Sequence, residues 1–319
     1  MQRRKLLWHT VLTGAALACT ADAARAGAHR TGSQLITIID LDLCDGCPGR
    51  AVPLCVSACR EQNKDRIPEP QKPIRPYWPK KKFEDFSDRR DEIDRLTPYN
   101  LLYVETLSVN GRDIHLPRRC MHCFDAPCRK LCPFGAIDKT KEGAVAIDAH
   151  VCFGGAKCRD VCPWHIPQRQ AGVGLYLDVA PKFAGGGIMF KCDLCAERLS
   201  KGEQPACIPA CPRKAMMIGT LEEMTARLGE ILNGRHVYGR TENGGTATWY
   251  VSSIPFETID AAHRASVGSD TQGRPGFPNA RPALASGTVS AGLALAAPIA
   301  ALGGAVMLRR RRGRDGKED

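Results

Sequence analysis

The chain has 319 residues and a formal net charge of +11, and 16 of its residues are cysteines. That thiol content is not typical of an ordinary soluble enzyme. Only 6% of the residues are aromatic, while 31 are glycine and 22 are proline, so something besides apolar packing must help to stabilise the fold. Much of the positive charge lies at the two ends of the chain, and we therefore predict no nucleic-acid partner.

The N-terminal segment has the layout of a secretory signal peptide. Arg3 and Arg4 precede an apolar stretch, and the small-residue site Ala24-Arg25-Ala26 follows it. The paired arginines indicate the twin-arginine type. An amphipathic surface helix is the alternative, but the stretch has no polar face. The pattern predicts that residues 1–26 are a signal peptide and that the remainder is exported.

The C-terminal segment has the pattern of a membrane anchor. Residues 284–308 carry no charge and are followed by an arginine cluster in 309–319. At 1.5 Å per residue the uncharged run spans roughly 37 Å, enough to cross a bilayer core of about 30 Å. The positive-inside rule keeps the basic tail cytoplasmic. We predict a single-pass inner-membrane protein, mostly periplasmic, with a linker at 261–283. A flexible Ala/Gly-rich tail is the alternative.

Fifteen of the cysteines fall into four groups, and each group ends in a Cys-x3-Cys pair. The groups are Cys44, Cys47, Cys55 and Cys59; Cys120, Cys123, Cys128 and Cys132; Cys152, Cys158 and Cys162; Cys192, Cys195, Cys207 and Cys211. In bacterial ferredoxins the run C-x2-C-x2-C-x3-C-P places three thiolates on one iron–sulfur cluster and the fourth on another. The second and fourth groups keep this frame with a longer middle spacer. The frame predicts iron–sulfur clusters held by groups that act in pairs.

Two other uses of cysteine fit the spacing less well. A disulfide framework is possible in an exported chain, but fifteen is an odd number and the repeated Cys-x3-Cys-Pro frame has no role in it. Zinc sites use separate C-x2-C pairs and do not need the proline.

The third group lacks one ligand of the frame. Gly155 stands where a cysteine is expected after Cys152, and glycine has no side chain to bind iron. Three thiolates hold either a [3Fe-4S] cluster or a cubane whose fourth iron binds water or another group, and we favour the first. The predicted cofactors are three [4Fe-4S] clusters and one [3Fe-4S] cluster, or four [4Fe-4S] clusters.

The motifs around these cysteines resemble a known family. The segments Cys120-Met121-His122-Cys123, Lys191-Cys192-Asp193-Leu194-Cys195 and Val237-Tyr238-Gly239-Arg240 resemble the ferredoxin-type electron-transfer subunits of membrane-bound molybdenum oxidoreductases and hydrogenases, above all the HybA type of periplasmic hydrogenase-2. The resemblance implies an α+β fold of two pseudo-symmetric, ferredoxin-like 2[4Fe-4S] units in residues 34–260. The units carry an insertion at 60–118, and a single C-terminal transmembrane helix follows them.

The resemblance also implies which thiolates share a cluster, because in that family the first group pairs with the fourth and the second with the third. The implied sets are Cys44, Cys47, Cys55 and Cys211; Cys192, Cys195, Cys207 and Cys59; Cys120, Cys123, Cys128 and Cys162; and Cys152, Cys158 and Cys132. Cys55 has the weakest support, because a seven-residue spacer precedes it.

The resemblance implies an electron-transfer subunit with no catalytic residues. Its partners would be a periplasmic catalytic subunit, either a hydrogenase or a molybdenum oxidoreductase, and a multi-pass quinone-reactive membrane subunit. The alternatives are a stand-alone redox-sensing or storage iron–sulfur protein and a disulfide-stapled exported module.

Three remaining features lie outside the ligands. We predict strands at 35–41 and 144–147, a hairpin at Asn110-Gly111 and a helix at 221–232. We interpret His122, His165 and Trp164 as side chains that pack beside ligands rather than bind iron. The basic run at 80–82 is either a docking surface or simply solvated.

Overall fold

The computed structural model describes residues 34–74, 84–179 and 187–281. The predicted signal peptide, the transmembrane helix and the basic run at 80–82 lie outside these residues. Within them, none of the helices is long and apolar enough to cross a membrane. The described residues up to Asn279 belong to one compact unit.

The described residues form a mixed α/β structure. The strands are β1 Leu35–Asp40, β2 Tyr103–Val109, β3 Arg112–Arg118, β4 Ile137–Lys139, β5 Val145–Ile147, β6 Gln168–Gln170, β7 Ile188–Phe190, β8 Met216–Thr220, β9 His236–Tyr238 and β10 Thr248–Ser252. The α-helices are α1 Leu54–Gln62, α2 Pro127–Lys130, α3 Lys157–Asp160, α4 Tyr176–Val179, α5 Ala196–Ser200, α6 Leu221–Leu232 and α7 Phe256–Val267.

A four-stranded sheet in the order β8-β1-β10-β9 forms the largest core. β1 lies between an antiparallel partner, β8, and a parallel one, β10, which explains why its sequence is apolar at successive positions. Helix α6 begins with a capping box between Thr220 and Glu223. Its Leu228 packs on Ile36, Ile38 and Trp249.

Several sequence predictions are confirmed by these elements. Strands β1 and β5 lie where the sequence predicted strands, and α6 covers the predicted helix. Strands β2 and β3 form the predicted hairpin. Asn110 and Gly111 at its tip both have positive φ, 54° and 74°, which is the conformation that a two-residue type I′ turn requires.

One backbone feature repeats after three of the cysteine groups. In each Cys-Pro-x-x segment the third residue after the cysteine is left-handed: Gly135, His165 and Lys214 have φ of 63°, 49° and 52°. The short antiparallel pairs β4–β5 and β6–β7 lie between successive groups. The repeat supports related local units, while the pseudo-symmetry of two ferredoxin-like halves stays a prediction.

The C-terminal part of the unit differs from the predicted linker. Residues 261–267 belong to α7, and Phe277 is buried with its ring 5.0 Å from Tyr238 and 5.3 Å from Tyr250. Arg118 stacks 3.9 Å above the Phe277 ring. The Gly- and Pro-rich composition of this segment predicted a linker. Composition does not reveal that one aromatic side chain, Phe277, packs into the core. The packed domain therefore extends beyond residue 260.

The predicted insertion is partly integral to the fold. Within 84–118, Phe86, Leu96, Leu101 and Leu102 are buried. Glu84 forms ion pairs with Arg159 and Arg169 of the cysteine-bearing region. This part of the insertion therefore packs against the domain that carries the cysteines.

Candidate metal centres

The fold brings fifteen cysteines, all of them without disulfides, into four sets. Three sets each line a cavity. They are the first centre, Cys44, Cys47, Cys55 and Cys211; the second centre, Cys59, Cys192, Cys195 and Cys207; and the third centre, Cys120, Cys123, Cys128 and Cys162. These are the sets that the family resemblance implies. Their binding of iron stays a prediction.

The remaining three thiols, Cys132, Cys152 and Cys158, form the fourth centre. Burial raises the pKa of Cys158, and the nearby charges of Cys152 and Cys132 raise it further. The charge of Cys132 also acts on Cys152. A Cβ added to Gly155 would meet no atom within 4 Å. The position of the absent ligand therefore has room for a side chain.

The spacing of the thiols disfavours a zinc site. A zinc ion holds its thiolates at about 2.3 Å from one point. Within the described ranges, no group of three or more His, Cys, Asp or Glu side chains is arranged to hold a single metal ion. Each four-cysteine set instead surrounds a shared cavity, as a cluster held by four thiolates requires.

The Cys-x3-Cys pairs connect neighbouring centres. Cys55 and Cys59 lie one turn apart on α1, and residues at i and i+4 share one face of a helix. Cys55 lines the first centre and Cys59 lines the second. The short helices α2 and α3 likewise carry Cys128 and Cys158, each followed four residues later by a cysteine of the adjacent centre.

The centres are consequently arranged in a series. Burial and then the charge of Cys207 raise the pKa of Cys55, so the first and second centres are adjacent. The charges of Cys128 and Cys162 also raise the pKa of Cys158, so the third and fourth centres are adjacent. The charges of Cys120 and Cys192 both raise the pKa of Lys191. Lys191 therefore lies between the second centre and the third.

The loops around the thiols are bent by left-handed residues. Cys47, His122, Leu194 and Cys195 have φ between 48° and 59°. The backbone N–H of Leu194 donates to Cys192 Sγ at 3.4 Å, and those of Gly154 and Met189 donate to Cys152 Sγ at 3.5 and 3.4 Å. Such donors stabilise negative charge on sulfur.

Two buried cationic side chains show that the cavities suit an anionic group. Arg119 lines the second centre and Lys191 the third, and they are only 1% and 3% exposed. Among the described residues, Arg119 Nε and Nη2 have no hydrogen-bond partner. A buried charge is costly unless it is compensated, and a cluster with its thiolates is negatively charged. The residues present therefore fit an iron–sulfur cluster.

The thiols need the metal in order to ionise. Burial raises the pKa of Cys207 and Cys162 to about 12 and that of Cys44 to about 11. At neutral pH these groups would stay protonated without a metal. Bound iron favours the thiolate and releases the proton.

Several residues near the thiols were not assigned from the sequence. Asn243 Nδ2 donates to Cys123 Sγ at 3.4 Å, and Asn63 Nδ2 approaches Cys59 Sγ at 3.8 Å. Arg119 and Lys191 each precede a cysteine directly, which was the available signal. This position next to a cysteine does not by itself indicate burial, because a charged side chain in a loop is usually solvated.

The division of α1 between two centres predicts different outcomes for two matched variants. We expect Cys55→Ser to remove the paramagnetic signal of the first centre, and Cys59→Ser that of the second. Electron paramagnetic resonance of the reduced protein measures this, and Cys211→Ser and Cys207→Ser identify the two signals. If Cys55→Ser and Cys59→Ser removed the same signal, the assignment of the helix to two centres would be wrong.

Comparisons with known proteins support iron–sulfur clusters as the cofactor class. Residues 112–221 match the family described as 4Fe-4S dicluster domain. A Nitratidesulfovibrio vulgaris protein is 30% identical over 273 residues, covering 80% of this chain and 65% of that relative's length. The hydrogenase-2 operon protein HybA of Escherichia coli O157:H7 is 28% identical over 292 residues, with 78% and 79% covered. A sulfite dehydrogenase subunit from Allochromatium vinosum is 27% identical over 221 residues, with 67% and 80% covered.

Proposed function

We propose that this chain is a ferredoxin-type iron–sulfur electron-transfer subunit of the HybA type and that it conducts electrons through four clusters. Its similarity to the 4Fe-4S dicluster family, to HybA and to a sulfite dehydrogenase subunit supports this proposal. The route would join a periplasmic catalytic subunit, a hydrogenase or a molybdenum oxidoreductase, to a quinone-reactive membrane subunit. The serial arrangement of the four thiol sets is the observation that carries this proposal. A protein that only stored or sensed redox state would not need four centres in a row.

The residues that would hold the clusters are those that line the four centres. The first three centres would each hold a [4Fe-4S] cluster on four thiolates. The fourth would hold a [3Fe-4S] cluster on Cys132, Cys152 and Cys158, next to Gly155. When bound, such clusters accept and release single electrons.

The protein's own groups prepare the centres for electron transfer. Burial of thiols such as Cys55, Cys59 and Cys123 keeps water from the centres. Arg119 and Lys191 offset negative charge inside the domain. Net charge and burial are among the factors that set a cluster's potential, so the three-thiolate fourth centre would differ in potential from the other three.

The membrane assignment is part of the same proposal. The exported location rests on the twin-arginine pattern in residues 1–26, and the anchor rests on the uncharged run at 284–308. Together these patterns would put the described domain on the periplasmic side, with residues 309–319 in the cytoplasm. In that position the domain would be accessible to a periplasmic enzyme and close to the quinone pool.

Isolation of the affinity-tagged chain from anaerobically grown cells tests this function. We expect it in the membrane fraction, bound to a catalytic subunit whose substrate reduces or oxidises the clusters in the isolated complex. A chain that ends after Arg281 is the control, and we expect it in the soluble periplasm. If the full chain is recovered without a partner, and no enzyme substrate reduces or oxidises its clusters, the stand-alone redox sensor is favoured instead.

A further inference from the structure

His122 links two of the centres. Its backbone belongs to the loop Cys120–Cys123, which lines the third centre. Its ring points to the second centre instead, where Nε2 lies 3.7 Å from Cys192 Sγ. The side chain is 1% exposed, so this contact lies in the interior between the two centres.

The position of the ring proton follows from the other nitrogen. The backbone N–H of Val145 donates to His122 Nδ1 at 3.0 Å. A nitrogen that accepts a hydrogen bond carries no proton, and a neutral imidazole then carries its proton on Nε2. Nε2–H therefore donates to the Cys192 sulfur.

The surroundings hold this donor in place. Both polar groups of the Val145 backbone are used: its N–H donates to His122, and its carbonyl accepts from Lys191 Nζ. Lys191 Nζ also donates to the Cys192 carbonyl at 3.0 Å. Arg119 Nη1 approaches Cys192 Sγ at 3.9 Å. Two side-chain donors thus converge on one thiolate.

Hydrogen bonds to a cluster's sulfur atoms act on its reduction potential. Reduction adds negative charge to the cluster and its thiolates, and a donor stabilises the more negative state more strongly. A donor fixed at Cys192 therefore favours the reduced form of the second centre over its oxidised form.

We propose that His122 is a positioning residue that raises the reduction potential of the second centre through its Nε2–H bond to Cys192. The inference rests on the proposed electron-transfer function. With clusters bound, one electron would leave a neighbouring centre and enter the second centre. No proton moves, since Nε2 keeps its hydrogen. The loop of one centre thereby sets the potential of the next.

Two substitutions separate the hydrogen bond to sulfur from the bond to Val145. In His122→Asn the amide oxygen takes the place of Nδ1 and still accepts from Val145, but the donor to Cys192 is lost. In His122→Gln the longer side chain carries an amide N–H to the place of Nε2. His165→Asn is the matched control, because His165 is also left-handed and near a cysteine, but its Nδ1 faces the Arg159 carbonyl.

The experiment is a redox titration of the anaerobically purified chain, followed by electron paramagnetic resonance. The second-centre signal is identified as the one that Cys207→Ser removes. We expect His122→Asn to lower the equilibrium constant for reduction of this centre about tenfold, which is about 59 mV for one electron. His122→Gln should stay near the wild-type value, and His165→Asn should change nothing at this centre.

The outcomes distinguish this inference from the function on which it rests. A wild-type chain without iron and sulfide would overturn the electron-transfer proposal. Four clusters with an unchanged second-centre potential in His122→Asn, or an equal shift at all centres, would overturn the role of His122 alone. If His122→Asn did not assemble clusters, pulsed resonance of wild-type protein labelled with ¹⁵N-histidine decides the question. Histidine nitrogen coupling at the second centre is expected, and its absence contradicts the hydrogen bond.

Discussion

Replacing Gly155 by cysteine is expected to convert the fourth centre from a three-iron to a four-iron cluster. The oxidised wild-type protein should show the signal of a [3Fe-4S] cluster, and Gly155→Cys should abolish that signal. Iron content should rise from about 15 to about 16 atoms per chain, as three or four irons in the fourth centre require. Resonance spectra of the oxidised protein and iron analysis measure both changes.

The structure gives the physical reason for this expectation. A Cβ at Gly155 would meet no atom within 4 Å, and the backbone there does not have the positive φ that disfavours side chains. We therefore expect the backbone at position 155 to accept a side chain. The new thiol would complete the set formed by Cys132, Cys152 and Cys158.

Two control variants test whether the thiol itself is responsible. Gly155→Ala adds the Cβ without a ligand, and we expect the three-iron signal to persist. Gly154→Ala should disturb the loop, because its φ is +63° and the added Cβ would lie 2.6 Å from the Gly187 carbonyl oxygen. A wild-type protein that shows only four-iron clusters would contradict the three-iron assignment.

Removal of iron is expected to unfold the cysteine-bearing loops while the main sheet persists. Without clusters the buried thiols are neutral, because burial raises the pKa of Cys207 and Cys162 to about 12. Arg119 and Lys191 then lose the negative charge that compensates them. An uncompensated buried charge costs about 3–5 kcal/mol, which is a large part of the stability of a domain.

Hydrogen exchange before and after anaerobic chelation of the iron measures this effect. Amides in β6 and β7 should exchange much faster in the iron-free protein. Amides of β1 should remain protected, because Ile36 and Ile38 pack on Trp249 and Leu228 in a core that contains no cysteine. Arg119→Met should reduce the loss of protection, since it removes one uncompensated charge. Uniform unfolding of the whole domain would show that the sheet also depends on the clusters.

Local patterns were sufficient for a large part of the fold. The Asn110-Gly111 turn, strand β1 and helix α6 depend on neighbours in the sequence, and each lies where it was predicted. The prediction of a linker at 261–283 was wrong because the structure there depends on residues far away in the sequence. The burial of Phe277 depends on Tyr238, Tyr250 and Arg118, which are distant in the chain, and composition does not contain that information.

The candidate site divides in the same way. The sequence alone determined the four cysteine groups, the absence of a cysteine ligand at Gly155 and the class of cofactor. It could do so because the ligands of a cluster loop lie close together along the chain. The family resemblance implied that Cys55 and Cys59 serve different clusters, and in the tertiary structure they line different cavities. Only the tertiary structure decided that the four centres lie in series and that His122 reaches Cys192. Those relations join segments up to 167 residues apart (Cys211 and Cys44), and they exist only once the β-strands and short helices have packed together.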